Sequence, residues 1–252
     1  MLRRTPLHDA QVAAVREFSG SELSREYVSY QGRLASGTRF TSFQWAEVDL
    51  NTGWRQALAS SSAQLSNLSL SASYRVSTSV QAGLSYDQRR NYWTQELRSL
   101  PQILFDKYLH QGLRVRLDTF RPGTFGMSGS FGVLLEERDQ SRSYSWGLGL
   151  RHPRLLGFFA SVDGSGFTNP TTNGYVGSAR LGRSFRGAQT DLSYGVSYYS
   201  FKTTTDTRLN QWGRLSARFD LPHRVYLQVD AEYDHGDDVK GPRGVVELGY
   251  RF

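Results

Sequence analysis

The chain has 252 residues, 38% of them hydrophobic and 13% aromatic, with 25 Gly and only 7 Pro, so disorder is a poor description of it. It contains no apolar run of about 18 residues, which excludes a membrane-spanning helix. Cys is absent, excluding disulfides, thiolate metal sites and cysteine nucleophiles. The formal charge of +7 comes from 30 Lys and Arg spread along the chain, without the compact basic tract that would point to nucleic acid.

Residues 1–22 form a lead-in, either a short amphipathic helix with Val12, Val15 and Phe18 on one side or a first strand. Two arginines open the chain, but no apolar stretch of signal-peptide length follows. An exported chain of this kind is expected to be mature protein or the C-terminal piece of a longer one. Residues 23–252 read as one domain with a repeating two-residue period. In "NLSLSASYRV", Leu68, Leu70, Ala72, Tyr74 and Val76 point one way and Asn67, Ser69, Ser71, Ser73 and Arg75 the other. That alternation is a β-strand pattern.

The same grammar predicts strands near 24–34, 39–50, 64–76, 79–88, 109–119, 124–136, 141–151, 154–164, 174–184, 189–201, 209–219, 223–233 and 243–252. In 24–34 and 39–50 the apolar residues do not keep to one face. Many strands reach ten or more residues, about what a tilted strand needs to cross a hydrocarbon core. Connections are expected to alternate: short at "ASGT", "VSTS", "RPG", "HPR", "SFRGA" and "DLPH", longer at 51–63, 89–108, "SGFTNPTTN", "KTTTDTR" and "HGDDVKGP". A cylinder of this many strands is too wide for one face of side chains to fill as a dry core. Apolar side chains are therefore expected to face lipid and polar ones to face water.

The last strand alternates through Val246, Leu248 and Tyr250 and stops on Phe252. A terminal aromatic closing such a series resembles the Gram-negative outer-membrane β-barrel class. The resemblance implies an all-β, transmembrane, antiparallel up-and-down barrel. An even strand number makes it about 14 strands, the lead-in supplying the first, with 12 or 16 as alternatives. It also implies an outer-membrane setting among lipid and lipopolysaccharide, with Leu248, Tyr250 and Phe252 as an assembly signal for the barrel assembly machinery. A barrel following a periplasmic repeat scaffold is similar to exopolysaccharide export proteins. No nucleic-acid partner and no cofactor is implied.

With that parity, the inward-facing ionisable residues are Arg75, Asp87, Arg114, Arg116, Asp118, Arg180, Asp191, Arg214, Arg218, Arg224, Asp230, Glu232, Glu247 and Arg251. Arginines outnumber acids in this set, so a water-filled lumen would favour anionic solutes. The same residues also suit ion pairs that brace neighbouring strands. The expected activity is passage of hydrophilic solutes or an exported polysaccharide. The alternative is a non-conducting barrel serving as surface hydrolase, adhesin, receptor or anchor. The loop "RRNYWTQELRSLPQILFDKYLH" is too apolar to wave freely. It is expected to constrict the lumen, cap the mouth or bind a partner through Tyr92, Trp93, Phe105 and Tyr108, or else to form an interfacial helix over 94–107.

Enzyme signatures are weak. No HExxH, P-loop or dinucleotide-binding pattern occurs, and no Ser stands in a nucleophile elbow. His152 and His223 are expected in short turns. His235 lies beside Asp234, Asp237 and Asp238, where a hydrated charged loop is the commoner outcome, and neither catalysis nor a metal is assigned.

Overall fold

The computed structural model describes residues 7–59, 61–98, 105–106, 108–120, 124–238 and 240–250. These form fourteen strands in one sheet, ordered β1 to β14 as in the sequence. The hairpin pairings from β1–β2 to β4–β5 and from β8–β9 to β13–β14 are antiparallel. Contacts group the chain into two units, Met1–Arg116 with Gly132–Arg142, and Leu117–Phe131 with Ser143–Phe252.

The first unit holds β1 (Leu7–Ser19), β2 (Glu22–Ser36), β3 (Phe40–Leu50), β4 (Ala63–Arg75) and β5 (Val80–Arg90). A short helix α1 (Trp54–Leu58) lies in the connection after β3. Strands β6 (Leu109–Thr119) and β7 (Gly126–Glu136) contribute to both units. Nearly all of the second unit consists of β8 (Arg142–Leu155), β9 (Phe158–Thr168), β10 (Thr172–Phe185), β11 (Ala188–Phe201), β12 (Thr207–Asp220), β13 (Val225–Gly236) and β14 (Gly241–Tyr250).

Register sorts the side chains by chemistry. In the second unit Leu181, Leu192 and Leu215 lie side by side on one face, as do Phe219, Leu227 and Leu248. The other face carries the row Arg180, Ser193, Arg214, Glu232 and Arg243. Because the period is two, the aliphatic side chains gather on one face of this unit and the paired charges on the other, where Trp212, Tyr226 and Val245 also lie. The apolar face is open: Leu148, Val162, Leu181, Leu192, Leu215 and Val246 are all exposed. Among the described residues only two hydrophobic side chains are buried, Trp93 and Phe105, and both lie outside the strands. Among the described residues the strands bury no hydrophobic side chain, and they are joined by their ladders.

Several sequence expectations are corrected here. Of the two readings of the lead-in, the first strand holds over residues 7–19 and the helix does not, with Val12 and Val15 on opposite faces. The segment "HPR" is not a turn. β8 continues through it across an irregularity between His152 and Leu155, where the His152 ring accepts the Arg154 N–H at 3.1 Å. Pro153 is tolerated there because an irregular position needs no ladder donor. The turn is Leu156–Gly157, with φ of 52° and 87°, which moves the next strand to 158–168 and places Leu156 at the tip. "SGFTNPTTN" is not a long loop either. Its ends join the ladder, and Asn169 closes a tight turn by accepting the Thr171 and Thr172 N–H groups at 3.0 and 2.6 Å. The long connections are 51–62 and 91–108.

Candidate functional site

Two polar constructions stand out, one in each unit. The first begins at Arg25 in β2, which is 4% exposed. Its guanidinium forks onto Asp49 at 2.8 and 3.0 Å and reaches Glu47 at 2.8 Å. Such bidentate pairing uses the planar geometry of Arg, and Lys could not copy it. Glu47 takes a second hydrogen bond from Asn67 at 2.7 Å. The guanidinium also lies against two rings, Tyr27 at 3.9 Å and Tyr92 at 3.4 Å. Arg55 of α1 is wholly buried near Asp49 and donates to Thr52 at 3.3 Å. Burial holds its pKa below the ordinary value, against the pull of Asp49 and Glu26. Two cations thus sit among the two acids of β3.

Tyr92 belongs to the 91–108 connection, so this cluster straps that segment to the polar face of β2. Ser24 strengthens the strap: its hydroxyl donates to Glu96 at 3.2 Å and accepts the Gln95 N–H at 3.0 Å. The Glu96 carboxyl is held down to about 2 by its own N–H and by the Thr94, Ser19 and Ser24 hydroxyls. Trp93 and Phe105 stack with ring centres 3.9 Å apart. Together with Asn51, Gln64, Arg90, Tyr108 and Glu137 they line a hollow of about 370 Å³. Arg90 pairs with Glu137 at 3.1 Å. Nearby, burial pushes the Asp106 carboxyl up, but the bond to His110 at 3.0 Å and the Tyr108 N–H bring it below the usual range.

The second construction is a ladder on the polar face of β10–β14. Arg180 pairs with Asp191 at 2.7 Å, Arg214 with Glu232 at 2.8 Å and Arg243 with Asp234 at 2.7 Å. Asp230 accepts from Gln228 at 2.8 Å, and Tyr226 bonds Glu247. The Arg218 guanidinium lies 4.2 Å from the Tyr226 ring centre and 3.6 Å from Asp220. A hollow of about 470 Å³ opens between Arg180, Asp191, Arg214, Asp230, Glu232 and Arg243.

The expected inward residues Arg180, Asp191, Arg214, Asp230 and Glu232 are therefore brought together. Arg75 ends β4, opposite Gln81 in β5. Arg114, Arg116 and Asp118 alternate along β6, where Arg116 lies beside Gly83 on the polar face. Asp87 shares that face, close against Gly112. Arg224 is corrected: it sits in the turn before β13 with φ 62°, not in the strand, because Pro222, His223 and Arg224 form the turn closed by the Leu221 N–H on the Val225 carbonyl. Tyr92 contacts Arg25 as described, and Tyr108 lies near Arg138, 5.9 Å from its guanidinium. Of the interfacial helix expected over 94–107, the described residues hold one 3-10 turn, Gln95–Leu97; residues 99–104 and 107 lie outside the described residues. Leu248 and Tyr250 are exposed on the apolar face, while Arg251 and Phe252 lie outside the described residues.

Sequence reasoning missed Arg25, Glu47, Asp49 and Arg243, and named Asp234 only as an acid beside His235. The pair Glu47/Asp49 two apart was a usable sign of acids on one face. It was masked because Phe43 and Trp45 share that polar face in β3. Around His235 the carboxylates serve different partners: Asp234 takes Arg243, Asp237 the Leu209 N–H at 2.8 Å, and Asp238 takes Arg208 at 2.6 Å. Among the described residues no group of three His or acids is arranged to hold a metal.

No family model matches the chain, and no curated protein matches it. Solved structures do. A loop-deletion form of OmpT, an outer membrane protein of Vibrio cholerae, matches with TM-score 0.45 and 7% identity over 97% of this chain and 99% of that one. Salmonella typhi OmpF gives 0.48 and 10% identity over 97% and 96%. A bacterial polysaccharide outer membrane secretin gives 0.42 and 10% identity over 98% of both chains. At these scores the likenesses are loose, and nothing about lumen or cargo carries over from them.

Proposed function

We propose that the sheet closes edge to edge, β14 against β1, into a barrel that crosses a bacterial outer membrane and conducts hydrophilic solutes. The observation that carries this reading is the open apolar face. Bulky aliphatic and aromatic side chains cover one side of strands of 10 to 15 residues, with no second layer packed on them. In water such a surface would aggregate, since soluble monomers rarely expose large contiguous apolar patches. In lipid it is the expected exterior, and closure removes the two sheet edges. The polar face then lines the passage, and the strap at Tyr92 and Glu96 narrows it.

In this reading the chain's surroundings are lipid and lipopolysaccharide, its folding uses the barrel assembly machinery, and its cargo is a hydrophilic solute, an exported polysaccharide included. Planar bilayers test the proposal. The purified chain should require detergent and give steady single-channel currents, and deletion of 92–106 should raise the conductance. A chain that is monodisperse without detergent would sink the membrane reading. A detergent-requiring chain that never conducts would favour a non-conducting anchor, adhesin or surface enzyme.

A further inference from the structure

We propose that the polar face of β10–β14 holds a binding site for an uncharged, polyhydroxylated ligand, a saccharide chain, built on the pairs Arg180–Asp191 and Arg214–Glu232 with Trp212 beside them. This rests on the reading of that face as the lining of a passage. It departs from the anion selectivity that the arginines alone would suggest.

The first reason is charge. Three arginines line the hollow, Arg180, Arg214 and Arg243, and so do three acids, Asp191, Asp230 and Glu232. Each arginine already lies 2.7 or 2.8 Å from a carboxylate. An anion would have to compete with that carboxylate for the guanidinium, and the field that would draw it in is cancelled locally. A hydroxyl meets no such obstacle. It donates and accepts at once, so it can take a remaining guanidinium N–H and give its own proton to a carboxylate lone pair. Ser193 and Ser216, also in the lining, extend the same two-way chemistry.

The second reason is Trp212. It precedes Arg214 by two residues on the same face of β12, between its cross-strand partners Gly195 and Asp234. A Cβ at Gly195 would overlap the indole, so the ring lies down on the glycine backbone with no side chain beneath it. A ring laid along the wall beside hydrogen-bonding groups suits a ligand with polar edges and apolar C–H faces. The first unit independently shows the same chemistry. A hollow of about 570 Å³ on the polar face of β1–β4 is lined by Gln11, Gln31, Thr41, Ser71, Ser73 and Phe43. Its two charged residues, Asp9 and Arg33, are opposite in sign and directly opposed across β1–β2.

The full chain is tested in two formats with three probes: maltohexaose and cellohexaose, both uncharged, and the anionic hexamer of galacturonic acid. In detergent, calorimetric titration reports binding without any channel; in planar bilayers, current block reports it inside one. At least one uncharged hexamer should bind and block. Trp212→Ala should weaken its affinity tenfold or more, while Trp146→Ala, on the apolar face, leaves it unchanged. Open channels that neither uncharged hexamer binds or blocks would overturn the site and leave the channel standing. A tenfold preference for the anionic hexamer would overturn it too, as would equal effects of the two Trp variants. Binding in detergent without any current would keep the site and remove the channel.

Discussion

Leu148 stands near the middle of β8, 65% exposed and on the apolar side. Its replacement by Arg tests which face meets lipid. Complete burial of a Leu side chain is worth about 1.5–3 kcal/mol. With 65% of the residue still open, lipid supplies about two-thirds of that, so truncation alone costs about 1–2 kcal/mol. A guanidinium near the bilayer midplane adds about 2–4 kcal/mol. Leu148→Arg should therefore lower stability in phosphatidylcholine vesicles by about 3–6 kcal/mol, read from guanidinium unfolding curves. The matched control is Ser165→Arg, on the opposite face of the neighbouring strand β9, paired with Gly147. A water-lined position should absorb that change within about 1 kcal/mol. Equal losses at the two sites, or no loss at Leu148, would refute the assignment of faces.

Three further outcomes are expected. Arg25→Leu leaves Asp49 and Glu47 buried without their forked partner and should cost about 3–5 kcal/mol in equilibrium unfolding, with Arg25→Lys recovering less than half; a loss below about 1 kcal/mol would contradict the cluster's role. The Glu96 carboxyl titrates near 2 in the folded chain, below its unfolded value of about 4.3, so its contribution is complete above that value and fades as pH falls through about 2. The stability gap between wild type and Glu96→Gln should therefore be full at pH 6 and close towards pH 2; a constant gap would show that the carboxylate is not what the strap uses. Leu156 occupies a left-handed turn position, so Leu156→Asn should stabilise the β8–β9 hairpin by about 1 kcal/mol; destabilisation would mean that the leucine is anchored in an apolar phase.

Strand existence was legible wherever one face stayed apolar, as from Tyr144 to Leu150 and from Leu227 to Tyr233. The local period suffices there because each strand repeats one binary choice. Turns were less legible. The two-residue left-handed turn at Leu156–Gly157 lacks the Asn-Gly signature, and Pro153 drew attention to the wrong place. The short Asn169 turn was hidden because the polar residues around it pair in the ladder rather than loop out.

By itself the sequence determined an antiparallel succession of long strands with one apolar and one polar face, because side-chain parity is a property of each strand alone. Only the tertiary structure decided which charges cancel. Arg180 meets Asp191, and Arg25 meets Glu47 and Asp49, through cross-strand register, which no single strand encodes. That register pairs Arg180, Arg214 and Arg243 with Asp191, Glu232 and Asp234 on the polar face, and a charge acts according to its nearest partner rather than the sum over the chain.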